Sequence, residues 1–432
     1  MAKTYDTYKD SGIAWIGEIP SEWEVVRQKN VFTLGKELIG DNWATTQLLS
    51  LTTKGIKCIS IGNTSGKVPD SYNTYQTVKP NNLVMCLFDL DCSAVFSGIS
   101  SCSGMISPAY KVLTVNEGAD PRYYSYWFDF IFDGRKYMYL SKNIRYSLTY
   151  DEFAALGIVY PSLSEQQSIA TFLDTKCVEI DALISLQEEM ISELQAYKQS
   201  VITEAVTKGL NPNAKMKDSG VEWIGEIPEE WNTQKLRTLG STQNGISQSG
   251  DYFGDEFPYP FVSYPDAYKN YSVPYPEGRA NSTTEERNHF SLIEGDVLFT
   301  RTSETIEEIG FASTCMNTIP DAVYSGFLIR FRPNTDKLFK GYSKYYFRSQ
   351  IHRAYFVKEM NLVTRASLSQ DLLKNLVVLL PPLTEQHSIA TYLDEKTSQI
   401  DSLIALKQEK IQELKDYKKS IIYEYVTGKK RV

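Results

Sequence analysis

Two passages of this chain occur twice, in an order that makes the linear polypeptide a disguised ring. Residues 10–23, DSGIAWIGEIPSEW, return at 218–231 as DSGVEWIGEIPEEW, with 11 of 14 positions identical. Residues 161–208 return at 381–428 with 27 of 48 identical. The stretches between them, 24–160 and 232–380, hardly resemble each other. Such an order implies one scaffold holding two different globular parts about an approximate two-fold axis, a circularly permuted repeat. At 432 residues the chain exceeds what one hydrophobic core supports. The expected fold is α+β: two mixed α/β globular domains, 1-160 and 218-380, joined by two long antiparallel helices. The helices lie in segments 161-217 and 381-432 and form a coiled-coil spacer.

The helical reading rests on apolar spacing of three, four and seven. Ile180, Leu183, Ile184, Ile191, Leu194 and Tyr197 mark the seam of the first copy, and Ile400, Leu403, Ile404, Ile411, Leu414 and Tyr417 that of the second. Ser164 with Gln167 reads as a capping box, and Thr384 opens the second helix. Gly209, followed by Pro212, and Gly428 are stop signals. Some 44 helical residues would span roughly 66 Å, too long for a lone helix, so the two copies are expected to pair. Gln187 and Lys407 occupy equivalent seam positions, where polar residues can fix register. The first helix ends at a short linker that leads straight into the second copy of the DSG motif, so short connections demand an antiparallel pair.

Each variable stretch shows short apolar runs bounded by turn residues: Leu83–Phe88, Tyr110–Val115 and Leu156–Tyr160, then Asp296–Thr300, Gly326–Arg332 and Leu376–Leu380. Gly62–Gly66 and Asn244-Gly245 read as turns. An aromatic-rich helix is expected in each, over Tyr123–Phe132 and Tyr342–Tyr355, with most tyrosines in the core. Arg145-Tyr-Ser-Leu and Arg365-Ala-Ser-Leu precede the last apolar run of each stretch. The arginines suit phosphate or guanine contact, whereas Ser147 and Ser367 are read as helix caps. Further polar loop residues are Lys142, Asn143, Arg301, Thr302 and Ser303, with Lys54, Lys57, Asn63 and Lys67 around the glycine-rich turn. Divergent loops on equivalent domains are where divergent specificity sits.

Several function classes fall away. No apolar run approaches the ~20 residues of a membrane helix, and the polar start reads as that of a cytoplasmic protein. The six cysteines form no C-x-x-C pair and histidines number only three, so no metal site is expected and the thiols read as reduced and mostly buried. No phosphate loop or glycine-rich cofactor turn is present. Asp174-Thr-Lys and Asp394-Glu-Lys end like nuclease metal sites but lie on the scaffold helices without an upstream acid. The chain reads as a binder, not an enzyme. A net charge of −8 argues against a generally basic nucleic-acid surface, leaving local patches or a partner to supply one.

The repeated D-S-G-x-x-W-I-G-E-I-P-x-E-W, the repeated P-x-L-[ST]-E-Q-x-S-I-A-T-[FY]-L-D and the helix ending Y-K-x-S-x-I-x-E-x-V-T together resemble the specificity subunits of type I restriction–modification systems. That resemblance implies two target recognition domains on an antiparallel helical spacer, each reading half of a split double-stranded DNA sequence. It implies two modification (methyltransferase) subunits as partners, and restriction (ATP-dependent endonuclease and translocase) subunits in the full complex. S-adenosylmethionine, ATP and magnesium would reside on those partners, with no cofactor in this chain. The alternatives are a coiled-coil scaffold without a DNA role and a self-sufficient methyltransferase–nuclease, which lacks its motifs here.

Overall fold

The protein is described by a computed structural model that covers residues 4–60, 71–141, 146–248, 250–303, 309–352, 355–356 and 366–432. The chain forms two compact units: residues 1–188 with 408–432, and residues 189–407. Four helices organise them: α1 (Pro121–Asp133), α2 (Leu163–Lys208), α3 (Lys340–Tyr346) and α4 (Leu383–Val426). The division falls inside α2 and α4, so each unit owns one half of each long helix. Among the described residues no helix is long and apolar enough to cross a membrane.

The DSG motif explains its own residues. In unit 1 it closes an antiparallel hairpin, Tyr8–Asp10 with Glu18–Pro20, in which Asp10 lies opposite Glu18. The Asp10 carboxylate accepts the Gly12 N–H at 2.9 Å, and Gly12 and Gly17 both stand at φ +69°, a left-handed conformation that favours glycine. Unit 2 repeats the device in Met216–Asp218 and Glu226–Pro228, with Asp218 accepting from Gly220 at 2.9 Å. Each motif then buries its isoleucine and its last tryptophan, Ile19 with Trp23 and Ile227 with Trp231.

Around the hairpins the two units differ, as their sequences do. Unit 1 carries two four-stranded sheets. One is ordered Gly55–Ile59, Leu48–Thr52, Gly104–Ile106, Gln76–Val78, and the other Phe32–Leu34, Lys111–Val115, Leu83–Met85, Ser97–Ile99. Unit 2 has a four-stranded sheet, Gly240–Asn244, Leu328–Pro333, Val297–Thr300, Ala312–Thr314, and a three-stranded one, Arg279–Ala280, Tyr259–Val262, Val323–Tyr324. Both keep a two-stranded ladder that ends at a long helix: Glu24–Arg27 with Gly157–Tyr160, and Asn232–Lys235 with Val377–Leu380. The mixed α/β class thus holds. Asn244-Gly245 is no hairpin turn, however. Gly245 lies so close to the Tyr324 and Ser325 carbonyls that a Cβ would sit 2.3 Å from each, so the glycine serves close backbone approach.

The start of each long helix is a hub. In unit 1 the buried Trp23 indole donates to Glu165 Oε2 at 2.9 Å. The next residue, Gln166, is fully buried; it accepts the Asp120 N–H and donates to the Pro161 carbonyl, both at 2.8 Å. Asp120 is itself the N-cap of α1, so the glutamine ties the domain helix to the spacer helix. Unit 2 does the same: Trp231 donates to Glu385 at 2.8 Å, and Gln386 accepts from Phe339, the α3 N-cap, at 2.8 Å while donating to Lys337 and Pro381. Further along, Asp174 takes bonds from Arg122 and Tyr126, and Asp394 from Lys344 and Tyr345. These aspartates anchor the domain helices.

Helix ends differ in detail from expectation. The first turn of α2 is closed by Ser162, whose hydroxyl and carbonyl both accept from Glu165, so Ser164 is already inside the helix and Gln167 is exposed. The α4 helix starts at Leu383, with Pro382 accepting from Glu385 and Gln386, rather than at Thr384. Ser147 and Ser367 do not cap either: Thr149 caps Tyr150–Ala155 and Ser369 caps Gln370–Asn375. Gly209 and Gly428 end the long helices at φ +73° and +72°. The second aromatic helix is shorter than expected, closing at Tyr346.

The two long helices run antiparallel within each unit. In unit 1, Phe172 meets Tyr425 with ring centroids 4.4 Å apart and Asp181 pairs with Lys418 at 2.7 Å. In unit 2, Lys198 pairs with Asp401 at 2.7 Å. The covered positions advance by four and three: Leu173, Cys177, Ile180, Ile184, Gln187, Ile191, Leu194, Lys198 and Val201 on α2. On α4 they are Leu393, Thr397, Ile400, Ile404, Lys407, Ile411, Leu414, Lys418 and Ile421. A 3.5-residue period keeps one narrow stripe facing a partner helix. That narrowness corrects the seam read from sequence: Leu183, Tyr197, Leu403 and Tyr417 lie beside the stripe and are exposed.

The glutamine hub predicts that Gln166→Leu and Gln386→Leu each cost about 2–4 kcal/mol, because two or more buried backbone partners lose their bonds. Gln167→Leu, at an exposed neighbouring position, should change stability by less than about 0.5 kcal/mol. Urea unfolding of the three variants checks this.

Candidate nucleic-acid interface

In unit 1, Lys54 sits in the turn between strands Leu48–Thr52 and Gly55–Ile59, and Lys57 is exposed on the second strand, opposite Ser50. Asn63, Lys67, Lys142, Asn143 and Arg145 lie outside the described residues. Lys54 faces a cleft of about 1070 Å³ between the end of α1 and the C-terminal half of α4. Phe130, Phe132 and Tyr423 floor it, and Arg135, Lys136, Lys415, Lys418 and Lys419 add positive charge beside Asp129, Asp133 and Asp181.

Most of that charge is engaged. Lys418 pairs with Asp181 and Lys419 with Asp133 at 2.8 Å. Lys136 caps the Phe130 carbonyl at 3.0 Å, and Arg135 donates to the Leu90 and Ser93 carbonyls. The side chains of Lys54 and Lys415 are left without an ion pair among the described residues, available to an anion. The cluster on α4 escaped sequence reading because a lysine run on a long helix looks the same whether it faces solvent or a cleft. Tyr139, 77% exposed, stands just ahead of residues 142–145 and is a further contact candidate.

In unit 2 the structure separates structural arginines from available ones. Arg348 is sunk among the carbonyls of Ala267, Tyr268, Asn270 and Ala312, and burial pushes its guanidinium pKa down. Arg332 grips Asp296 through two bonds of 2.8 and 2.6 Å, which push its pKa up. Arg330 reaches the Ser291 carbonyl and Gln243 beneath the Tyr324 ring. Arg301 differs: it is half-buried, and among the described residues its side chain reaches the Gly326 carbonyl, at 3.5 Å.

The neighbours of Arg301 form a rigid platform. Its N–H donates to Phe327 and its carbonyl accepts from Leu368, at 2.9 and 2.7 Å. Thr302 and Ser303 form a short ladder with Ser367 and Ala366. Ser367 is therefore a strand residue, which is why it does not cap the next helix. Arg365 lies outside the described residues. Beside Arg301, Phe327 is 61% exposed on a turn that favours glycine at 326, since a Cβ there would stand 2.8 Å from the Ile246 carbonyl oxygen. An exposed phenylalanine on a turn next to a guanidinium without an ion pair among the described residues suits stacking and hydrogen bonding to bases. The sequence offered no signal for Phe327, because an isolated aromatic in a Gly-Phe-Leu run reads as strand core.

Each unit also presents the same apolar trio outside the helix stripe: Leu183, Leu186 and Tyr417 in unit 1, and Leu403, Leu406 and Tyr197 in unit 2, all exposed.

Comparison with known proteins places this arrangement. The family described as "Type I restriction modification DNA specificity domain" matches residues 20–196 and 228–416. Among curated relatives, the type I restriction enzyme MjaVIII specificity subunit of Methanocaldococcus jannaschii is 26% identical over 65% of this chain and 63% of its own length. The EcoKI specificity subunit of Escherichia coli K12 is 28% identical over 58% of this chain and 53% of its own. The chain thus spans about half to two-thirds of those two relatives. A putative MjaX specificity subunit of M. jannaschii aligns over 96% of both chains at 23% identity. Among solved structures, a chain of a type I R-M system has a TM-score of 0.71 at 17% identity, covering 94% of this chain and 98% of that one. The HsdS subunit of Thermoanaerobacter tengcongensis has a TM-score of 0.53 at 19% identity, over 95% and 98%. With both halves matched, the chain belongs to the type I restriction–modification DNA specificity family.

Proposed function

We propose that the chain is the non-catalytic, cytoplasmic DNA-reading subunit of a type I restriction–modification complex. Its recognition domains, 1-160 and 218-380, each read one half of a bipartite duplex target, and the paired helices set the unspecified gap between the halves. The observation that supports this best is the contrast within the molecule. The hairpin, the tryptophan–glutamate contact and the glutamine hub are repeated residue for residue, whereas the sheets and loops they carry are not. Such a molecule presents two different readers in one fixed way.

The duplicated Leu-Leu-Tyr trio supports one kind of partner used twice, in the proposed reading two modification subunits. Methyl transfer from S-adenosylmethionine, and ATP- and magnesium-dependent cleavage by restriction subunits, would take place on those partners. Unit 2 reads through Arg301, Thr302, Ser303 and Phe327, together with Arg365. Unit 1 reads through Lys54, Lys57, Asn63, Lys67, Lys142, Asn143 and Arg145. The helix-pairing residues Ile180, Ile184, Ile191, Leu194, Ile400, Ile404, Ile411 and Leu414 keep the gap constant.

Co-expression with a cognate type I modification subunit should give adenine methylation at a split sequence, detected by methylation-sensitive sequencing. No methylation, or methylation without a sequence rule, refutes the proposal. Inserting seven residues into both helices, after Gln187 and after Lys407, preserves the stripe and adds about 10 Å. The gap should lengthen by about three base pairs while both half-sites stay the same. Arg301→Ala should slow methylation about ten- to hundredfold through one half-site only, and should leave the unfolding temperature unchanged. Arg348→Ala should instead destabilise the protein.

A further inference from the structure

The six cysteines divide by environment. Cys86, Cys177 and Cys315 are buried, and burial pushes their thiols up, Cys177 to about 11, so they stay protonated and unreactive. Cys58 and Cys92 are exposed and Cys102 is partly so, which corrects the expectation of mostly buried thiols. Cys58 and Cys102 are 44 positions apart in sequence, yet their sulfurs stand 3.3 Å from each other.

This proximity is built by the fold. Cys58 is on Gly55–Ile59, the edge strand of its sheet. Cys102 sits in the turn between Ser97–Ile99 and Gly104–Ile106. The Ser100 hydroxyl donates to the Cys102 carbonyl at 2.7 Å, and the Ser100 backbone bonds to Asn81 and Asn82 at 2.8 and 2.9 Å, so the turn is fixed. Gly98 lets the edge strand come close: a Cβ there would lie 2.9 Å from Leu51 and 3.2 Å from Ile56. A disulfide needs sulfurs about 2.05 Å apart, so little more than a side-chain rotation joins them.

We propose that Cys58 and Cys102 are an oxidisable dithiol, converted by a peroxide-class oxidant into a disulfide that staples the edge strand to the neighbouring turn. One sulfur, as thiolate, attacks a peroxide oxygen; the O–O bond breaks, leaving a sulfenic acid, and the departing oxygen leaves as water. The second sulfur then attacks the first, the S–O bond breaks, and a second water leaves. Two thiols lose two electrons in all, and one peroxide becomes two waters. The hydrogen bond to Cys102 raises the Cys58 pKa, so the reaction speeds up as pH rises. Oxidation acts on unit 1 alone, because residues 189–407 contain only the buried Cys315.

The test treats the full chain with hydrogen peroxide, blocks remaining thiols by alkylation, and maps peptides without reduction. The expected result is a peptide joining Cys58 to Cys102, released by dithiothreitol. The oxidised protein should unfold several degrees above the reduced one, since a long closed loop restrains the unfolded chain. Cys58→Ser and Cys102→Ser should each remove the linked peptide and the temperature difference, and Cys92→Ser should remove neither. Recovery of Cys58 and Cys102 as separate alkylated or over-oxidised residues in the wild-type chain, or linked to Cys92 instead, overturns the proposal.

Discussion

One indole in each unit holds the scaffold together. Trp23 touches three parts of the chain at once: it belongs to the hairpin motif, donates to Glu165 at the start of α2, and packs where Gly428 ends α4. A Cβ on Gly428 would stand 3.1 Å from the Trp23 ring. Trp231 does the same with Glu385 at the start of α4 and Gly209 at the end of α2, where a Cβ would stand 3.3 Å from the ring. The left-handed glycine is thus required twice over, by backbone conformation and by lack of room. This three-way junction accounts for the circular order of the repeats. A hairpin that grips the end of one helix and the start of the next is connected most shortly when it lies between them in a circular order. The chain satisfies this at 208–231, and its two termini satisfy it again by meeting at Trp23.

A junction of this kind also explains which polar residues are buried. Gln166 and Gln386 are among the most enclosed polar side chains, and each bonds to the backbone ahead of a domain helix. A buried amide without partners costs free energy, but one with fixed partners excludes other arrangements. The Tyr123 hydroxyl donates to the Val426 carbonyl at 2.8 Å, and the Tyr342 hydroxyl to Val206 at 3.3 Å, so the domain helix also satisfies the last carbonyls of the long helix. The globular domain of each unit is clamped to both long helices at polar points, which leaves its sheets and loops free to change.

This explains how much was legible in advance. The long helices, their glycine stops and the aromatic helices follow from period and composition, because packing of α-helices imposes a spacing that sequence must show. The first turn of each helix was less legible, since Ser162-Leu-Ser164 offers two hydroxyls two residues apart and Pro382-Leu-Thr384 places its hydroxyl one residue inside the helix. Thr149 with Glu152 carries the capping-box signature and would have decided the matter at one site. Ser162 with Glu165 carries it too, but that glutamate serves the indole. Seam membership was overestimated because a lone amphipathic helix buries a broad face, whereas a paired one buries a stripe. Phe327 and the Cys58–Cys102 contact were invisible, since nothing local announces that two distant loops will meet.

The distribution of positive charge bears on how an acidic chain could read DNA in the proposed role. Arg330, Arg332 and Arg348 in unit 2, and Arg135, Lys136, Lys418 and Lys419 in unit 1, are committed to carbonyls and carboxylates. Among the candidate contacts in the described residues, Arg301 in unit 2 and Lys54, Lys57 and Lys415 in unit 1 have no ion pair. Phosphate contacts supply most of the affinity for duplex DNA and base contacts supply the discrimination. On the proposed reading, Arg301 and Phe327 on their hydrogen-bonded turns would serve discrimination more than affinity. Companion proteins seated on the duplicated Leu-Leu-Tyr positions would, on that same reading, supply the remaining affinity, and reading would be coupled to assembly.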